Sequence, residues 1–344
     1  MKPFRIPIFC CLCWLIAAGC GLKKELVFSG KTMGSTYQVK VVAGYFQSAG
    51  DLAQAIERRL AEINQHLSIY RKDSEISRFN RHAASDPFPV SDMFAEILEI
   101  SRPLYELTGG AWDPTVAPLV ELWGFGAGEP TGRIPPRAAI EQRMAAVGFH
   151  RLEFKDRAFI KEQPGLSLDL GSVAQGFGAD QVAKVIEAAG FRDYLVEIGG
   201  EVIASGVRRD GTDWRIGINT PVQGSPFDKV YKIVTLRNHA LATSGDYRNF
   251  FVVDGKTYSH IIDPRTGYPI ANGVVSVSIL AKSCTFADGL ATALMVMGRK
   301  EGLALIRNLP DVEGMIVERD PDGRLTDYYS EGFRPVPENK AITN

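Results

Sequence analysis

A single stretch, Ser283 to Met297, limits what this chain can become more than any other. It is apolar almost throughout and runs up to Gly298, and a helix that is hydrophobic on every side belongs inside a core. Beyond its first turn, two polar residues interrupt it. Asp288 and Thr292 lie four residues apart, hence on one face, among Phe286, Ala287, Leu290, Ala291, Ala293, Leu294 and Met295. An ionised carboxylate in such company costs several kcal/mol unless it is paired with a base, held neutral or ligating a cation. Carboxylate plus hydroxyl oxygen is a hard-oxygen set, suited to Mg²⁺ with waters and substrate phosphates and poorly suited to zinc. The other reading is an aspartate steadied by the helix dipole, with Thr292 bonding back to a carbonyl. Spacing alone leaves both open.

The chain supplies enough apolar material to surround such a helix. Hydrophobic residues make up 45% and charged residues 23% of 344 positions, which excludes a disordered, coiled-coil or collagen-like chain. With 39 basic and 40 acidic residues the net charge is -1, and no long basic run appears, so nucleic acid is not an expected partner.

The N-terminus reads as an address. Lys2 and Arg5 precede an apolar run from Ile6 to Ala18, too short to span a bilayer comfortably, followed by Gly19 and Cys20. The segment Ile16-Ala17-Ala18-Gly19-Cys20 resembles a bacterial lipoprotein box, apart from Ala17 where leucine is commoner. The expectation is a signal peptide over residues 1–19, lipidation of Cys20, and a protein held by acyl chains on the periplasmic side of a bacterial membrane. Cys10, Cys11 and Cys13 leave with the leader, so Cys284 remains as a lone thiol, read as a small buried hydrophobe.

After a short tether over 20–28, one α+β domain is expected over 29–335, with helical insertions between strands and a tail at 336–344. Leu26 to Val42 reads as a strand broken by a turn at Thr32-Met33-Gly34-Ser35, and Leu52, Ile56, Leu60, Ile63 and Leu67 recur at helical spacing. Ser91 caps a second helix that stops at Gly109-Gly110, and Asp113-Pro114 opens a third. Ser167 to Leu170 reads as a strand, Ala174 to Ala189 as a helix, and Tyr194 to Ile198 as a strand. Asp254-Gly255 predicts a hairpin between Phe250–Val253 and Thr257–Ile262, Val274 to Leu280 is one more strand, and Asp320 to Gly323 turns a last hairpin.

Two further features carry chemistry. The small residues from Asp169 to Gly178 lie between a strand end and a helix start, where free N–H groups can hold phosphate, although neither a Walker loop nor a dinucleotide glycine triplet fits. His260, on the second arm of the hairpin, is of a type that accepts or donates protons near neutral pH. His66, His82, His150 and His239 are read as structural.

In chain order, Thr32-Met33-Gly34-Ser35-Thr36-Tyr37, Tyr70 to Asn80, Gly110-Ala111-Trp112-Asp113-Pro114-Thr115-Val116, Asp169 to Phe177, Thr243-Ser244-Gly245-Asp246-Tyr247, Ser259 to Gly267 and Ala287 to Thr292 resemble the ApbE family of FAD:protein FMN transferases. The likeness covers roughly Gly30 to Gly314. It implies a T-fold-like α+β architecture that binds FAD with Mg²⁺. By the match, Asp288 and Thr292 give side-chain oxygens and Ala174 its backbone carbonyl to the metal. Met33, Tyr70, Ala111, Trp112, Asp113, Gly171, Phe177 and Ile262 fall where the family contacts FAD. His260 matches the histidine that takes a proton from an acceptor threonine while FMN is transferred and AMP leaves. Acceptors of that kind are exported subunits of sodium-pumping NADH:quinone reductase or the Rnf complex. Gln175 and Ser172 depart from the lysine and glycine common in relatives. Hydrolysis of FAD to FMN and AMP, and flavin binding without chemistry, are the alternatives.

Overall fold

The computed structural model describes residues 22–83, 86–128, 131–226, 229–247 and 249–337. The leader and Cys20 lie outside the described residues, as does the tail from 338. Eight strands form one antiparallel sheet: β1 (Lys23–Thr32), β2 (Ser35–Gly44), β3 (Asp193–Ile198), β4 (Glu201–Ser205), β5 (His239–Gly245), β6 (Val274–Ala281), β7 (Glu313–Arg319) and β8 (Leu325–Tyr329). Their order across the sheet is their order along the chain. The β1–β2 turn puts Met33 and Gly34 at φ 49° and 70°, the paired left-handed conformation that suits the twist of a tight hairpin.

Seven helices are described: α1 (Leu52–Leu67), α2 (Glu75–Arg81), α3 (Asp92–Leu107), α4 (Ala117–Leu122), α5 (Arg137–Met144), α6 (Gly171–Ala188) and α7 (Cys284–Ile306). The first six sit in one insertion between β2 and β3. Alternation along the strands makes two cores from one sheet. Val39, Val41, Val196, Ile198, Ala240, Ala242, Val277 and Ile279 face the helices. Leu195, Val202, Ala204, Leu241, Met315 and Val317 face the opposite way, beneath a hairpin of Trp214–Asn219 and Val230–Leu236. A second hairpin, Phe250–Val253 with Lys256–Ser259, joins β5 to β6.

Three sequence expectations change. Ser167–Leu170 is not a strand, because its pairing partner is a side chain. The Asn80 amide donates to the Leu168 carbonyl and accepts the Leu168 N–H, each at 2.8 Å, giving the backbone what a neighbouring strand would have given. Helix α6 starts at Gly171 rather than Ala174, and His260 lies one residue past the hairpin arm, which ends at Ser259.

Gly298 ends the apolar helix where the sequence predicts, and the second helical segment of α7, on to Ile306, turns back from it. At φ 80° and ψ 173° it breaks the helical path, and Gly302 then packs back against Leu294. That reversal lets β7 pair antiparallel with β6. Asn272 satisfies the carbonyls left open at the break, donating to Met295 at 2.9 Å and Val296 at 3.3 Å. Gly298→Ala has room for its methyl, with Asn272 no nearer than 3.4 Å, but forces a backbone region that only glycine occupies at ease. A cost of about 1–3 kcal/mol is expected, read as a fall of several degrees in melting temperature. An unchanged melting point would show that the turn can be made another way.

Candidate active site

The site is built where α6 crosses α7. A Cβ on Gly176 would lie 2.5 Å from the Cys284 carbonyl oxygen and 2.9 Å from the Asp288 Cβ, so the crossing is as close as glycine alone permits. The contact exposes the Gly176 N–H to Asp288, whose Oδ2 accepts it at 3.0 Å. Asp288 is 7% exposed. Burial pushes its carboxyl well above the usual carboxylate range, and the nearby Glu201 and Asp180 carboxylates push it further, against the pull of the Gly176 N–H.

Three acidic side chains thus converge from α6, α7 and the start of β4. Asp180 is fully engaged as the cap of α7, accepting from Ser283 Oγ (2.8 Å), Cys284 N (2.9 Å), Thr285 N (2.9 Å) and Thr285 Oγ1 (2.6 Å). Cys284 is buried beside them, its thiol pushed up by burial and by the same carboxylates, and it serves as a small hydrophobe. One turn beyond Asp288, Thr292 Oγ1 lies 2.9 Å from Ser244 Oγ on β5. Among the described residues no three His, Cys, Asp or Glu side chains are grouped to hold a metal. A cation at Asp288 would therefore be completed by hydroxyl, carbonyl and water oxygens. That donor set fits Mg²⁺, and the crowding of negative charge gives the cation a reason to bind.

His260 is held from a different quarter. The Asn249 carbonyl accepts both its backbone N–H at 3.1 Å and its ring Nδ1–H at 3.0 Å. A carbonyl can only accept, so the proton of the neutral ring sits on Nδ1 and the lone pair on Nε2. Burial pulls the imidazole below its ordinary value, only partly offset by that carbonyl. The hairpin carrying it leans on an aromatic stack: Phe251 on Tyr258 at 5.3 Å, Trp123 on Tyr258 at 5.8 Å and Phe125 on Phe251 at 5.4 Å between ring centres. Phe125 also meets the His260 ring edge-on at 6.3 Å. Trp123 donates Nε1–H to the Gly267 carbonyl at 2.9 Å, tying the following loop to α4. Ile262 is buried in the same cluster.

The remaining sequence-predicted residues gather mainly around α6. Gly171 opens that helix and donates to Asp169 Oδ1 at 2.8 Å. Trp112 donates Nε1–H to Ser172 Oγ at 2.9 Å, joining the Ala111-Trp112-Asp113 stretch to the helix start. Met33 lies over Gly178, and Ala174 stands in the first turns. Ala111, Trp112 and Phe177 are core residues. Asp113 is buried and accepts from Thr115 N (2.8 Å), Thr115 Oγ1 (2.6 Å) and Phe149 N (3.1 Å), while burial raises its carboxyl pKa. Tyr70, 74% exposed, follows Ile69 at the rim of a cleft of about 190 Å³ that also takes in Asn80, Leu168 and Asp169. Gln175 lies against Gly199 in the β3–β4 turn.

Sequence reasoning passed over Asp180 and Glu201. Asp180 carried a usable signal, a carboxylate inside an otherwise small and apolar helical run; Glu201 carried only Gly199-Gly200 before it. The other histidines have structural partners: His66 with Glu75, His82 with the Asp86 carbonyl, His150 with Tyr105 and His239 with the Arg237 carbonyl.

Both the sequence and the fold resemble known proteins. A Vibrio cholerae FAD:protein FMN transferase is 45% identical over 327 residues, spanning 93% of this chain and 96% of the relative. The solved flavin transferase ApbE from Vibrio cholerae superposes with a TM-score of 0.81 at 42% identity, covering 90% of this chain and 98% of that one. The apo flavinyl transferase ApbE of Pseudomonas stutzeri gives 0.80 at 38% identity, covering 90% and 95%. The class these likenesses define is that of α+β flavin transferases. Residues 33–316 match the ApbE family profile, and the chain belongs to the ApbE family.

The crossing itself can be tested. Gly176→Ala drives a methyl into α7 backbone and parts Asp288 from the Gly176 N–H. The expected cost is about 1–3 kcal/mol, seen as a lower melting temperature together with weakened FAD binding. Wild-type affinity in that variant would detach the crossing from the ligand site.

Proposed function

We propose that the protein transfers the FMN half of FAD to a threonine or serine hydroxyl of an exported acceptor protein, in a Mg²⁺-dependent reaction that releases AMP. The observation that carries this reading is that an ApbE-family chain holds both a histidine whose Nδ1–H is tied to the Asn249 carbonyl, leaving Nε2 to accept, and an aspartate and a threonine one turn apart on α7. Asp288, Thr292 and the Ala174 carbonyl would hold Mg²⁺, which supplies charge neutralisation at the pyrophosphate.

The chain's own groups do the rest. His260 Nε2 takes the hydroxyl proton as the acceptor oxygen attacks the FMN-side phosphorus. The phosphorus–oxygen bond to AMP breaks, and AMP carries away the pyrophosphate bridge oxygen. The Nδ1 bond to Asn249 keeps the ring in the tautomer this requires. The start of α6, where Trp112 meets Ser172, would turn its positive dipole end toward the anionic ligand. Cys20 behind its leader supports a lipid-anchored protein on the periplasmic side of the membrane. Anchoring would set it beside membrane-bound acceptors such as subunits of sodium-pumping NADH:quinone reductase or Rnf complexes.

The deciding assay incubates the protein with FAD, Mg²⁺ and a candidate acceptor domain, and the acceptor is expected to gain covalent flavin fluorescence in a denaturing gel. AMP release without any acceptor labelling, across several acceptors, would point to FAD hydrolysis instead.

His260→Ala is expected to lower kcat by about 10²–10⁴-fold with little change in KM for FAD. The base works in its neutral form, so activity falls as pH drops through its pKa. Since burial lowers that pKa, the acid limb of kcat/KM should lie below pH 6.5. A limb above it would contradict the assignment.

A further inference from the structure

We propose that Ser244 is a positioning residue for the cation assigned above to Asp288 and Thr292, its hydroxyl accepting the Thr292 hydrogen so that a lone pair of Thr292 is turned toward the ion. The inference rests on that metal reading. The segment Thr243-Ser244-Gly245-Asp246-Tyr247 stands out in the sequence without a role, and the fold supplies one. Along β5, Ala240 and Ala242 face the helices while Leu241 faces the other core. Continuing that alternation, Ser244 faces the helices and Thr243 faces away. The contacts agree: Ser244 Oγ lies 2.9 Å from Thr292 Oγ1, and Thr243 Oγ1 lies 2.8 Å from Ser278 Oγ on β6. The alanines at 240 and 242 are small enough to bring α7 down onto the strand, and Ser244 places its hydroxyl against that of Thr292.

The chemistry follows from the donor inventory. A threonine hydroxyl has one hydrogen and two lone pairs, and it ligates a cation only through a lone pair. A helical threonine ordinarily spends its hydrogen on the carbonyl four residues back, here that of Asp288. Ser244 offers a partner across the gap between helix and sheet, fixing the side-chain rotamer from outside the helix. Loss of a group that orients a metal ligand in this way typically costs about 10- to 100-fold in metal affinity.

The test uses the full chain without FAD and Mn²⁺ as a hard-oxygen probe, with free Mn²⁺ followed by electron paramagnetic resonance and melting temperature recorded in parallel. Ser244→Ala is expected to weaken Mn²⁺ binding by about 10- to 100-fold, and Ser244→Thr, which keeps the hydroxyl, to restore most of it. Thr243→Ala, on the opposite side of the strand, should bind as the unaltered protein does. Unchanged affinity in Ser244→Ala overturns the proposal, and so does an equal loss in Thr243→Ala, which would mark general damage to β5. Asp288→Ala separates the two levels. If it binds Mn²⁺ like the unaltered protein, the metal reading itself falls; if it loses binding while Ser244→Ala does not, only the role of Ser244 falls.

Discussion

The bond from the Gly176 N–H to Asp288 is the point on which the architecture turns. To make it, α6 and α7 must approach until there is no space for a side chain between them, and α7 must bring a carboxylate into an otherwise apolar core. One hydrogen bond to a charged group contributes about 1.5–3 kcal/mol, less than the cost of burying an ionised carboxylate beside Glu201 and Asp180. The cation proposed for this site would offset that cost.

The groups assigned to the reaction stand on two supports that share little. The oxygen set stands on a helix packed against the main sheet, whereas His260 stands on a hairpin propped by Trp123, Phe125, Phe251 and Tyr258. The sheet side has strands on one flank and helices on the other. The hairpin is secured chiefly by aromatic contact and by the Trp123 bond to Gly267. Through the Trp123 contacts, the placing of the hairpin is tied to how α4 sits.

Much of this was legible in the sequence wherever the signal is local. Period-3.6 spacing marked α1 and α3, Asp254-Gly255 marked the hairpin, and the apolar run marked α7. Gly298 marked the end of the apolar segment, but that a second helical segment folds back on the first is seen only in the packing of Gly302 against Leu294. Ser167–Leu170 has the alternation of a strand, but its partner is the amide of Asn80, and no pattern along one stretch reveals a partner of that kind. Asp180 and Glu201 escaped because only the β3–β4 turn and the α6–α7 crossing bring them to Asp288. Ser244 was visible as part of a distinctive block, yet its use depends on which face of β5 it occupies beneath α7.

The sheet follows chain order, but β2 and β3, neighbours in space, are separated by residues 45–192. Closing so long a gap adds little to the equilibrium cost, since that grows only logarithmically. Its effect is on timing. During synthesis the nascent β1–β2 hairpin can form at once, while the inner rim of β2, with Val39 and Val41 uncovered, waits for an entire helical layer to be made before it finds its mate.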